Sequence, residues 1–157
     1  FEPNLVTTGM LAEAFWIFID TDECHTVYSP KGRDTIQDTL TTVYTDGSAI
    51  RCGTDEASAG AGIFYGEQDV RNRSIHLPNE VGRMNQVSEL VGAKSAVEDV
   101  PINTGLELVS DSQHVLDGLR GHFVRWEDEG YLLISNSLIT QVTIARFHAH
   151  TAPTWLQ

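Results

Sequence analysis

The spacing of apolar and polar residues changes character several times along this chain, and each change predicts an element. The first forty residues hold one dense apolar run, AFWIFID (Ala14 to Asp20), then a polar stretch containing Pro30 and Gly32. That pattern predicts a single strand and a loop. From Thr42 onward, Gly47, Gly53, Gly60, Gly62 and Gly66 bound short runs with strand-like alternation: TTVYTDG, GAGIFYG and, further on, RSIHLP. Connections this short predict antiparallel hairpins. Between Asn85 and Val100 the period lengthens, with Val87, Leu90, Val91, Val97 and Val100 at spacings that suit an amphipathic helix, and Pro101 stops it.

The second half continues in the same manner. LELVSD (Leu106 to Asp111) is a short apolar strand, and the helix before it makes it the return of a crossover, parallel to the first strand. SQHVLDGL predicts a brief helix capped by Ser112 and closed near Gly118. A further helix runs from Ser135 or Asn136 to His148, with Leu138, Ile139, Val142, Ile144 and Ala145 as its apolar stripe. Thr154, Trp155 and Leu156 begin a strand. The expected class is α/β, a mixed sheet of three antiparallel strands followed by parallel ones, with helices on both faces. Residues 1–40 are an N-terminal extension and 41–157 the domain.

Length and composition narrow the picture. A chain of 157 residues with 41% hydrophobic and 20% charged residues fits one globular domain that needs no disulfide or structural metal. No apolar run is long enough to cross a bilayer. Cys24 and Cys52 lack the spacing of a zinc or redox pair and read as reduced thiols, with a disulfide between them left open. No segment assigns a compartment; an intracellular one is favoured. The balance of 22 acidic against 10 basic residues gives a net charge of −12, a field that repels phosphate backbones unless metal or a locally basic surface offsets it.

The candidate chemistry is carried by carboxylates. Asp46 ends the TTVYTDG run, where Gly47 lets the backbone turn and leaves room for a reacting group. Asp111 ends the parallel strand, and ligands gather at neighbouring strand ends in such sheets. Glu89 lies one turn into the intervening helix, within reach of the same point. Carboxylates converging from different elements are what a two-metal phosphodiester hydrolase needs, and oxygen-only ligands favour Mg²⁺ or Mn²⁺.

TVYTDGSA, GAGIFYG, NQVSELVGAKSAVED and LELVSDSQHVLDGL, in this order and spacing, resemble ribonuclease H, especially the domains of fungal retroelement polyproteins. The resemblance implies a five-stranded mixed sheet and a hydrolase, an endonuclease that cuts the RNA strand of RNA/DNA hybrids using two Mg²⁺ or Mn²⁺ ions. It implies that Asp46 bridges both metals and that Glu89 and Asp111 each complete one, with Glu89 also sensing a ribose 2′-hydroxyl. Asn85 and Gln86 would contact the hybrid backbone, and Gly47, Ser48 and Ser112 would complete the substrate-binding set. The family's fourth acidic ligand, on a terminal helix after the last strand, has no counterpart before Gln157. The domain is therefore expected to be C-terminally truncated, as a fragment, as a natural truncation with weak or no activity, or with another segment filling the gap. For the last case, AFWIFID would pair at a vacant edge beside LELVSD, bringing Asp20 or Asp22 near the metals.

Other residues carry less. His148 and His150, on the tail of a helix, read as capping groups, and His25, His76, His114 and His122 as surface or loop residues. Trp126 to Glu129 reads as a solvated acidic face with Trp126 turned inward. Arg71, Arg73 and Arg83 are the one basic cluster and a weak phosphate track. Two alternatives accompany the nuclease reading. One is a catalytically reduced domain that binds a protein partner or a second copy through a free sheet edge; the other is a different member of the same broad superfamily, such as an exonuclease or integrase core.

Overall fold

A computed structural model describes residues 37–157 with the exception of residue 133. Five strands form one sheet in the order β3-β2-β1-β4-β5. They are β1 (Gln37–Ile50), β2 (Ser58–Phe64), β3 (Arg73–His76), β4 (Thr104–Ser110) and β5 (Thr154–Leu156). β1, β2 and β3 pair antiparallel, while β4 runs parallel to β1 and β5 parallel to β4. The crossover from β3 to β4 is helix α1 (Asn85–Asp99), which ends within a residue of its predicted stop. The chain thus has the mixed α/β sheet that its pattern predicted.

β1 begins at Gln37, inside the stretch taken as an extension, and is longer than TTVYTDG alone. Its period of two sorts its residues between faces: Val43, Thr45 and Gly47 are buried, whereas Tyr44, Asp46 and Ser48 are exposed. On the buried side Val43, Ile63, Leu106 and Leu108 of the sheet pack against Leu90, Ala93, Ala96 and Val97 of α1. Burial of large aliphatic side chains contributes about 1.5–3 kcal/mol each, so this layer is the main source of stability. Among the described residues the helices pack on this face. The other face leaves Leu40, Tyr44, Phe64 and Trp155 exposed, so helical cover on both faces is not found in this part of the chain.

Three local expectations are corrected. The helix after Asp111 does not close at Gly118. It runs as α2 (Gln113–Asp117), widens into a π turn over Gly118–His122 and continues as α3 (Phe123–Asp128). Gly118 keeps ordinary helical angles, and a Cβ there would lie 2.9 Å from the Trp126 ring, so this glycine serves close packing rather than termination. Half-buried Trp126 is turned inward as expected.

In α4 (Ser137–Ala149) the buried residues are Thr140, Thr143 and Ile144, while Leu138 is 75% exposed and Ala145 exposed. The apolar stripe is displaced because two threonines satisfy their hydroxyls within the helix: Thr140 donates to the Asn136 carbonyl and Thr143 to that of Ile139. Finally, AFWIFID lies outside the described residues, and the place beside β4 is filled by β5, with Leu106 opposite Thr154 and Leu108 opposite Leu156.

Candidate metal centre

The site forms where β1, β4 and the first turns of α1 meet. β1 continues through Asp46 and Gly47 to Ile50, so Gly47 makes no turn; it sits in the ladder opposite Ala61. What requires glycine is the helix. A Cβ on Gly47 would lie 2.5 Å from the backbone nitrogen of Glu89 and 2.8 Å from its carboxyl carbon. Without that Cβ, the start of α1 settles directly on the strand, and the Gly47 N–H donates to the Glu89 carboxylate. Gly92, one turn on, repeats the device: a Cβ there would stand 3.4 Å from Thr45 Cβ and 3.6 Å from Ala61 Cβ. Sequence reasoning passed over Gly92, although the small residues Ser88, Gly92 and Ser95 on that helix signal a close approach.

This contact buries Glu89, which is 5% exposed, while Asp46 and Asp111 remain exposed at the ends of their runs. Ligand oxygens of Asp46, Glu89 and Asp111 lie within 4.8 Å of one another, the one such metal-capable group among the described residues. Glu89 Oε2 is buried with no hydrogen-bond partner among the described residues. Burial, together with the negative charges of Asp111 and Asp46, raises the Glu89 carboxyl to about 7, and the Gly47 N–H only partly opposes this. Three acidic groups converge with no cation side chain between them, leaving a desolvated oxygen unsatisfied. The residues present fit a hard divalent ion, for which carboxylate oxygens are the preferred donors.

The remaining sequence candidates surround this point unequally. Ser48 follows Asp46 on the same open face and borders a groove lined also by Gly60, Gly62, Ser74 and His76. Asn85 and Gln86 open α1 and are exposed. Ser112 is committed to structure: its Oγ accepts the Val115 N–H as an N-cap, and its own N–H donates to Ser110 Oγ.

The guanidiniums of the basic cluster are engaged within the protein. Arg71 binds Asp69 and lies over the Tyr65 ring, Arg73 pairs with Asp99, and Arg83 donates to the carbonyls of Asp55 and Ala57. His148 stands beside Glu127, and His150 bonds the carbonyl of Thr104, at the opposite end of β4 from Asp111. Neither histidine joins the carboxylates. No helix among the described residues is long and apolar enough to cross a membrane.

Comparison with known proteins agrees with this fold. A family model for RNase H matches residues 38–154. Ribonuclease H of Schizosaccharomyces pombe is 34% identical over 89 residues, a match covering 57% of this chain and 33% of that protein, so the chain spans about a third of that relative's length. A foamy viral protease-reverse transcriptase in complex with dsDNA has a similar fold, with a TM-score of 0.58 at 20% identity over 78% of this chain and 83% of that one. The same kind of protein in complex with an RNA/DNA hybrid gives a TM-score of 0.56 at 16% identity, covering 74% of this chain and 17% of that one. With three quarters of its residues inside the family match and the sheet and crossover helix in place, the chain belongs to the RNase H family.

Proposed function

We propose that Asp46, Glu89 and Asp111 form the metal-binding centre of a ribonuclease H-type hydrolase that cuts the RNA strand of RNA/DNA hybrids. The observation that carries this reading is the buried, partnerless Glu89 oxygen held beside two further carboxylates. A divalent cation, Mg²⁺ or Mn²⁺, would supply Lewis acidity to the phosphodiester and a nucleophilic water at neutral pH. Asp46 and Asp111 hold exposed oxygens toward solvent, where a phosphate can approach. Glu89 approaches from beneath, fixed by the Gly47 N–H. Ser48, Asn85 and Gln86 present exposed polar groups around that opening for the hybrid backbone, with Gly47 keeping the strand thin there.

If the reaction uses two ions, Asp46 would be the residue to serve both, with Glu89 and Asp111 each completing one; a further oxygen ligand would strengthen the second, so we expect modest activity from these three residues alone. The net charge of −12 acts in the same direction, making hybrid binding depend on the metal.

The test is incubation with labelled RNA/DNA hybrid, duplex DNA and single-stranded RNA, each with Mg²⁺, Mn²⁺ or chelator, beside Asp46→Asn. Cleavage confined to the hybrid, requiring metal and reduced at least about a hundredfold in the variant, is the expected result. Absence of cleavage by a folded protein would favour the alternative, a catalytically reduced domain that binds a protein partner.

A further inference from the structure

We propose that His150 is a proton-sensitive latch: as a neutral imidazole it locks the corner between α4 and β5 onto the start of β4, and its protonation releases β5. His150 is the residue after α4 and is 8% exposed. Nε2 lies 2.9 Å from the Thr104 carbonyl oxygen, a contact between residues 46 positions apart. A carbonyl can only accept, so Nε2 carries the proton and the ring is the neutral Nε2–H tautomer. Nδ1 is buried with no hydrogen-bond partner among the described residues. A second proton would therefore place an N–H⁺ where nothing accepts it, a costly arrangement in a dry environment.

The corner secures a short element. β5 has three residues; its Trp155 is half exposed, while Leu156 packs on the core and its carbonyl accepts from Arg120. The links next to His150 are the Thr151 and Ala152 N–H groups, which both donate to the Ile102 carbonyl. Further along, the Leu106 N–H donates to Pro153, the Gln157 N–H to Leu108, and the Ser110 N–H to Gln157. That last bond adjoins Asp111, so release of β5 loosens the end of β4 from which the carboxylate projects.

Among the described residues no charged group is paired with the ring, and β4 contributes only the Thr104 carbonyl. On α4 itself, Arg146 pairs with Glu98 and His148 stands by Glu127, both with half-exposed side chains. Burial pushes the His150 imidazole below its ordinary value, and the Thr104 contact offsets this only partly. The linkage has a definite sign. An imidazole with a depressed folded value contributes full stability above about 6.5, its free value, and this is lost as pH falls below it.

Amide hydrogen exchange on the full chain, corrected for intrinsic pH dependence, tests the latch at pH 7.5 and pH 5.5. Protection of the Leu106, Ser110 and Gln157 amides should fall about tenfold in the wild type, while β1–β2 amides keep theirs. His150→Gln, whose amide can still donate to Thr104 without titrating, should keep protection at both values. Equal loss in wild type and variant, or no loss in the wild type, overturns the proposal. Should the variant not fold, NMR titration of the His150 ring decides: protonation at the free imidazole value with β5 protection intact overturns it as well. These readouts are independent of nuclease activity.

Discussion

The two ends of α1 carry two charged clusters built on opposite principles. At its start, Glu89 meets Asp46 and Asp111 with no cation side chain among them, and a buried oxygen is left over. At its end, Asp99 accepts from the Tyr65 hydroxyl and from Arg73, while Arg71 bridges to Asp69 across the Tyr65 ring. The second cluster is complete within the protein: every charge has a partner, and the Tyr65 hydroxyl, raised above its ordinary range by burial and by Asp99, stays protonated to donate. The first is not completed by any of the described residues. Residue composition alone would rank the arginine-rich cluster as the more attractive place for a polyanion. Satisfaction of charges reverses that ranking, because engaged guanidiniums hold the scaffold while unpartnered carboxylates are left able to accept a cation.

This contrast can be broken at several points. The largest effect should follow Gly47→Ala. Its Cβ would strike the backbone of α1, which cannot yield as a flexible side chain would. We expect a loss of about 3 kcal/mol in denaturant unfolding, at the upper end for overpacking, together with loss of Mn²⁺ binding in calorimetry. An alanine variant of native stability would show that the strand and helix are not in the contact described.

A smaller effect sharpens the electrostatic side. In chelator, the Glu89 carboxyl is raised from an ordinary 4.5 to about 7, so its contribution is fully present below about 4.5 and is lost as pH rises through about 7. Glu89→Gln removes that titration. Its stability relative to wild type should therefore rise between pH 5 and pH 8, by about 1–3 kcal/mol, measured as paired urea midpoints. Saturating Mn²⁺ should stabilise the wild type and erase the difference. A flat difference across this range would mean that the carboxylates do not repel one another. The sign is opposite to that of His150, so the two groups separate cleanly in pH profiles.

The smallest effects belong to the completed cluster. Tyr65→Phe should cost about 1 kcal/mol, the worth of one hydrogen bond to a charged acceptor at partial exposure. Arg73→Lys should cost a few tenths, as for partly exposed ion pairs. Neither should alter Mn²⁺ affinity. A metal defect in either variant would tie the two ends of α1 together and dissolve the distinction between them.

Much of this was legible in the chain. Alternation in TTVYTDG and GAGIFYG, the lengthened period from Asn85 to Val100, and the apolar LELVS run specify the order of strands and helix, because side-chain periodicity is a local consequence of backbone geometry. Asp46, Glu89 and Asp111 could be named as a set because their motifs follow one another in the order of the family they resemble, although Asp46 lies within β1 rather than at its end.

What the linear order could not reveal depends on contacts between residues far apart. That Gly47 serves a helix rather than a turn follows from its contact with Glu89, and that Gly118 continues a helix follows from the Trp126 ring laid against it. The buried face of α4 was misread because threonines, polar by composition, satisfy their hydroxyls on their own helix and then pack as apolar groups. The engagement of Arg71, Arg73 and Arg83 and the isolation of Glu89 Oε2 are likewise decided by which partners the fold delivers. Periodicity is a property of neighbours in sequence and survives translation into structure; burial and hydrogen-bond satisfaction are properties of neighbours in space, and only the folded chain assigns them.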